Sequence, residues 1–283
     1  AMEAVKLIQW LAAGVAALTP PHVLSNGRSS VALRANGAGW SRWGQTGITR
    51  WRDDALRDEH GSFFYLRWDR HPWPVSMTQH PAPDPAVRYQ SVYHADRVCF
   101  DATWPELQSH ITVWVSPEDD IEFREVELRN LSDRWLDIEL LSAFEVSLSD
   151  PRADEAHPAF TNLFVRAEWL ASQQALWFER QPRLPSEPGL KAAHFLADND
   201  PQVVSVRQIA DRQRWRGRNH GTSQPLAGFA PVAPANANTD AGAMLGTGLD
   251  PVCALAVRLR IAPNAKARLT FATAAGDDAG TLR

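Results

Sequence analysis

Along residues 136–148 apolar and polar side chains alternate. Leu136, Ile138, Leu140, Phe144, Val146 and Leu148 share one parity, and Asp137, Glu139, Glu145 and Ser147 the other. A period of two predicts a long strand with one buried face. The same alternation runs through Cys253, Leu255, Val257, Leu259 and Ile261, with Arg258 and Arg260 facing outward. After the turn at 262–265 a further strand is predicted through Leu269, Phe271 and Thr273. Weaker strand signals lie at 31–34, 63–68, 88–94, 98–104, 111–115, 121–129, 163–168, 176–179, 193–197 and 203–209. In the 121–129 segment the apolar parity switches between Phe123 and Val126, which predicts a β-bulge. Turn clusters at 116–120, 130–133 and 182–189 separate the runs. Many closely spaced strands without a βαβ rhythm predict an all-β fold, a large antiparallel sandwich.

The N-terminal run follows a different period. Val5, Ile8, Leu11 and Val15 fall on one helical face, so a short amphipathic helix is expected, ending at Pro20-Pro21. The apolar stretch is too short to span a bilayer. Ala1 ahead of Met2 reads as the remnant of a tag. The expected organisation is therefore a tag remnant and helix over 1–21, then one sandwich domain over 22–283. Within that domain, 216–248 is rich in Gly, Ala, Pro and Asn, lacks a period, and is expected to be a long irregular loop.

Composition narrows the partners. A net charge of −4 provides no basic face for nucleic acid. Of the 29 cationic residues only Lys6, Lys191 and Lys266 are lysine, so positive charge is carried almost wholly by planar guanidinium forks. Cys99 and Cys253 stand far apart without metal-ligand spacing, and the nine histidines form no H-E-x-x-H pair. No metal and a reducing cytosolic setting are the resulting expectations.

The densest chemistry lies at 26–68, which holds four Trp, seven Arg and six Gly. Flat indole faces suit pyranose C–H surfaces, and guanidinium forks and carboxylates suit hydroxyls. Gly37 and Gly39 bracket Trp40, and Gly44 and Gly47 follow Trp43, giving the backbone freedom to present those rings. The candidate contact residues for a carbohydrate or a neighbouring domain are Trp40, Arg42, Trp43, Arg50, Trp51, Arg52, Asp53 and Asp54, joined by the loop histidine His157. No catalytic residue is assigned. Adjacent acids such as Asp53-Asp54 do not form the cleft-spanning carboxyl pair of glycoside hydrolysis. The chain also lacks G-x-S-x-G, P-loop and dinucleotide fingerprints.

Several segments together resemble one family: NGR at 26–28, NGAGWSRW at 36–43, TRWRDD at 49–54, GSFFYLRW at 61–68, VSPEDDIEFREVELRNLSD at 115–133, HPAFTNLFV at 157–165 and GTGLDPVCALAVRLRIAP at 246–263. They look like the N-terminal β-sandwich of the cyclic β-1,2-glucan synthase and glycoside hydrolase family 94 phosphorylase group, formerly glycosyltransferase family 36. The resemblance implies a galactose-mutarotase-like supersandwich, followed in the parent chain by an (α/α)6 barrel that carries the general acid and the phosphate site. It further implies a non-catalytic module associated with β-glucan or an oligosaccharide, without an organic cofactor, and cytoplasmic, by itself or as a soluble part of a membrane-anchored parent. Two other readings stay open. One is a stand-alone aldose epimerase using His157 with Glu145 or Asp154. The other is a structural module whose Trp/Arg loop is an interdomain or homodimer seam.

Overall fold

The structure is a computed structural model that describes residues 7–11, 21–54, 59–186, 189–198, 200–217, 221–229 and 243–282. Its first strands are β1 (Leu7–Leu11), β2 (His22–Ser25), β3 (Ser29–Leu33), β4 (Gly39–Trp43), β5 (Thr46–Thr49), β6 (Phe63–Trp68) and β7 (His71–Ser76). Then come β8 (Tyr89–Tyr93), β9 (Val98–Thr103), β10 (Leu107–Val115), β11 (Ile121–Asn130) and β12 (Leu136–Ser149). Two short helices, α1 (Pro151–Ala156) and α2 (Pro158–Asn162), lead to β13 (Val165–Leu170), β14 (Ala175–Arg180), β15 (Lys191–Asp198) and β16 (Val203–Asp211). Helix α3 (Arg212–Arg216) and a 3-10 turn at Leu226–Phe229 precede β17 (Ala243–Leu245), β18 (Pro251–Ile261), β19 (Lys266–Gly276) and α4 (Ala279–Leu282).

These strands form two antiparallel sheets packed face to face. The first runs β1-β8-β9-β10-β11-β19-β15-β14-β13-β17; the second runs β16-β18-β12-β5-β4-β3-β2, with β6 and β7 attached beside the first half of β12. The main core lies between them and includes Leu33, Leu66, Val113, Val126, Leu140, Phe144, Leu255 and Phe271. Because side chains alternate along each strand, burying this one set fixes the register of the pairs. The long alternating runs are the strands that build the centre of both sheets.

A second apolar cluster covers the outer face of the second sheet. Phe63, Tyr65, Leu141, Ala143, Ile209, Val252 and Ala254 are buried there against Trp215 and Phe229. The described parts of 212–229 therefore act as a strap across that face. Side-chain donors on the sheet hold its backbone: Tyr65 Oη donates to the Thr222 carbonyl at 2.8 Å, Arg207 to that of Gly228 at 2.6 Å and Arg67 to that of Phe229 at 2.9 Å. The described part of the expected irregular loop is thus tied down, while 218–220 and 230–242 lie outside the described residues. The strap also explains β12, where alternating burial holds only at the start and both faces are buried from Leu140 onward.

Two local expectations are corrected. The expected N-terminal helix is not found at Leu7–Leu11, which is a strand paired with β8; positions 12–20 lie outside the described residues. Hydrogen bonding to an edge strand satisfies that backbone as well as a helix does. The bulge expected in β11 is absent too, since its register with β10 and β19 is unbroken. The inward parity is kept by Glu122, Arg124, Val126 and Leu128. Glu122 accepts hydrogen bonds from Ser41 Oγ of the other sheet at 2.5 Å and from Arg124 Nε at 2.6 Å, and Arg124 also donates to the Ser62 carbonyl. Charged side chains at inward positions, paired across the core, made the apolar pattern look shifted.

Candidate functional site

The β4 hairpin sorts the expected contact residues by parity. Ser41 points between the sheets toward Glu122, so Trp40 and Arg42, one residue to either side, face outward from the second sheet. The Arg42 guanidinium lies 4.1 Å from the centroid of the Trp40 ring. Such stacking orders both groups, which are half-buried. Burial lowers the Arg42 pKa, against the raising influence of Asp150, and the group remains a cation at neutral pH. Arg42 Nε is buried and has no hydrogen-bond partner among the described residues.

Glycine makes this hairpin possible in two ways. At Gly37 φ is +92°, in the region that side chains disfavour. At Gly39 a Cβ would come within 1.9 Å of the Ala32 carbonyl oxygen, so any other residue would push β4 away from β3.

Trp43 has the opposite parity and closes the end of the sandwich. Its Nε1 donates to Asp120 Oδ2 at 2.8 Å, and the Arg28 guanidinium lies 5.9 Å from its ring centroid. Trp43 lines an open groove of about 660 Å3 shared with Arg28, Asp119, Asp120, Phe195 and Asp278. Trp51 is half-buried at the rim of the outer cluster, with Arg34 5.2 Å from its ring centroid. Arg34 in turn donates to Asp53 at 2.7 Å. Arg52 is half-buried, and Asp53 and Asp54 are exposed. None of the three tryptophans is lost in the core between the sheets.

Arg50 behaves differently. It is only 5 % exposed and anchors a buried ionic network. Its Nε and a terminal nitrogen grip Asp154 at 2.9 and 3.0 Å; other contacts reach Asn162 at 2.5 Å and Glu145 at 3.3 Å. Glu145 also pairs with Arg216 and, at 3.7 Å, with Arg212, which bonds Asp250 at 2.7 Å. Asn162 donates to Asp250 at 3.0 Å, completing the circuit. Burial alone would lower the Arg50 pKa, but the hydrogen bond and fields of Asp154, Glu145 and Asp250 outweigh it and raise it. Burial likewise opposes ionisation of Glu145, yet Arg216, Arg50, Arg212 and His60 hold its carboxyl below the usual range. Such a network locks α1, α2, α3 and the end of β12 together; it is a joint rather than a contact surface.

His157 sits at the α1–α2 junction, exposed, with its backbone N–H on the Ala153 carbonyl and its own carbonyl accepting from Phe160 and Thr161. Asp154 turns inward to Arg50 and Thr161, at 2.7 Å from the threonine hydroxyl. Both carboxylates available to an epimerase are therefore committed to buried partners, away from the exposed imidazole. Sequence reasoning missed Asn162, Arg212, Arg216 and Asp250 as members of the network. The visible signal was modest: Asp211 as a helix cap, and Arg212 and Arg216 one turn apart. Among the described residues no group of three His, Cys, Asp or Glu is placed to hold a metal ion, and Cys99 and Cys253 are buried free thiols.

The family profile described as "Glycosyl hydrolase 94, supersandwich domain" matches residues 16–283. The chain belongs to this family. A cyclic β-(1,2)-glucan synthase, NdvB of Rhizobium meliloti (strain 1021), is 32 % identical over 262 residues, covering 90 % of this chain and 9 % of the synthase. The family 94 supersandwich thus spans a small fraction of that relative's length. Among solved structures, a candidate kojibiose phosphorylase from the human microbiome is 9 % identical with a TM-score of 0.48, over 90 % of this chain and 29 % of that one. A galactose mutarotase related enzyme from Lactobacillus acidophilus is 9 % identical with a TM-score of 0.39, over 90 % and 97 %. The assignment to family 94 rests on the profile and on the synthase, not on these looser similarities.

Proposed function

We propose that this family 94 supersandwich is a non-catalytic, carbohydrate-associated module of a β-glucan-processing parent of the cyclic β-1,2-glucan synthase type. Its outward Trp40–Arg42 pair, with Trp51 and Arg52, contacts a glucan or walls the sugar cleft of an adjoining (α/α)6 barrel. The observation that carries this reading is the stacked, outward-facing Trp40–Arg42 pair on a hairpin whose glycines admit no other residue without strain. An aromatic face with ordered N–H donors beside it suits a pyranose better than it suits a core. Support for a non-catalytic role comes from Glu145 and Asp154, both tied into the Arg50 network. Among the described residues no helix is long and apolar enough to cross a membrane. We place the module in the cytosol, as a folded part of a membrane-anchored parent.

Tryptophan fluorescence of the 283-residue chain, titrated with β-1,2-linked gluco-oligosaccharides, tests the contact. Saturable quenching or enhancement that is reduced in Trp40→Ala is expected; a response unchanged by that substitution, or no response, would refute a sugar contact at this hairpin.

A further inference from the structure

The outer face of the second sheet continues past the strap. Beyond Phe229 the strands β6, β12, β18 and β16 lie side by side and carry a row of charged residues. Strand register sets Arg67 and Arg258 on either side of Glu139, and sets Asp137 opposite Arg260. Ile138, between the two acids, is buried in the main core, so Asp137 and Glu139 project away from it. With Asp69 these side chains line an open groove of about 410 Å3. That volume falls within the roughly 300–1,000 Å3 of small-ligand sites.

The charges in this groove cancel. Arg67, Arg258 and Arg260 face Asp69, Asp137 and Glu139. An anionic ligand would meet three carboxylates and a cationic one three guanidinium groups, whereas a neutral polyhydroxyl chain can accept from every fork and donate to every acid. Part of the groove is already ordered for this. Arg67 Nε donates to Glu139 Oε2 at 2.6 Å, and its terminal nitrogen is held by the Phe229 carbonyl at 2.9 Å. Arg258 is exposed and makes no side-chain hydrogen bond or ion pair among the described residues, so its donors are open to a ligand. At the far end Arg260 lies 5.4 Å from the ring centroid of Trp135, which is 52 % exposed. An exposed indole beside an arginine of a charge-balanced groove repeats, at a separate place, the pairing of Trp40 with Arg42.

We propose that this groove is a second saccharide-binding site, taking a neutral oligosaccharide whose hydroxyls bridge Glu139 and Arg258 and whose end lies on Trp135. The proposal shares a ligand class with the proposed function but none of its residues.

Isothermal titration of the full chain with neutral β-1,2-gluco-oligosaccharides separates the two sites. Arg258→Ala and Trp135→Ala change exposed side chains and leave the fold intact. Arg258→Ala is expected to weaken one set of sites by about tenfold or more, the size of one lost hydrogen bond to a charged group, and Trp135→Ala is expected to weaken the same set. Trp40→Ala should leave that set untouched. Unchanged binding in both groove variants, with loss in Trp40→Ala, would overturn the second site while sparing the first. Binding lost only in the groove variants would uphold the groove and refute the hairpin contact. Tighter binding of a uronate-containing oligosaccharide, abolished by Arg258→Ala, would overturn the neutral ligand class.

Discussion

Arg50 and Arg42 belong to one short segment, and their environments divide their roles. Arg50 neutralises Glu145 and Asp154, which are 8 % and 2 % exposed. Replacing it with methionine leaves Asp154 buried without its cation and Glu145 with only Arg216 and Arg212, and breaking such a buried pair costs about 3–5 kcal/mol. Urea denaturation should show a loss of that size; a change under about 1 kcal/mol would mean the network is not structural. Arg42→Ala removes a half-buried, stacked cation and should change stability by less than about 1 kcal/mol while removing the Trp40 part of the sugar response.

Two histidines make opposite contributions to the pH dependence of stability. His110 is raised from 6.5 to about 10, first by its hydrogen bond to Asp101 at 2.6 Å and then by Cys99, against burial. Its contribution is full below pH 6.5 and is lost as pH rises toward 10. Asp101→Asn should flatten stability over that interval. His194 is lowered to about 3 by burial, reinforced by Arg124. Folding there favours the neutral ring, so its contribution is present above pH 6.5 and is lost as pH falls toward 3. His194→Gln should make the acid limb shallower. Denaturation midpoints measured from about pH 4 to 10 check both; unchanged slopes in the variants would contradict the assignments.

Among the elements, the strap and the β3–β4 hairpin depend on single residues. Trp215 is 1 % exposed and fills the outer face of the second sheet. Trp215→Ala should cost about 3–5 kcal/mol and expose Tyr65, Leu141 and Ala254 to a hydrophobic dye; wild-type dye binding would show that the strap does not depend on it. Long alternating strands such as β12, β18 and β19 were legible because each buries one parity against the other sheet. Strands β4, β5 and β7 were not, because they are short and built from Gly, Trp, Thr and Pro, whose pattern reads as loop. The outward placement of Trp40 was legible from its flanking glycines. The burial of Arg50 was not, since its partners Glu145, Asp154 and Asn162 stand 95, 104 and 112 residues away. Ion pairs across that separation leave no local period. The same reason hid Glu122, whose partner Ser41 is 81 residues away.

For the molecule as a whole, two sheets enclose a buried core, a strap covers part of the outer face, the hairpin tryptophans are half-buried, and Glu145 and Asp154 are locked in a joint. Incubated with inorganic phosphate and β-1,2-glucan, the 283-residue chain is expected to release no sugar phosphate; measurable release would place catalysis in this sandwich. The central claim is that Trp40 and Trp51 are held outward to meet a saccharide while Trp177 and Trp215 are not. Two-dimensional proton–nitrogen NMR of the indole N–H groups reads this directly during a titration with β-1,2-gluco-oligosaccharides. The account predicts dose-dependent shifts of the Trp40 and Trp51 resonances with Trp177 and Trp215 unmoved. Stationary Trp40 and Trp51 resonances at saturating oligosaccharide would contradict it.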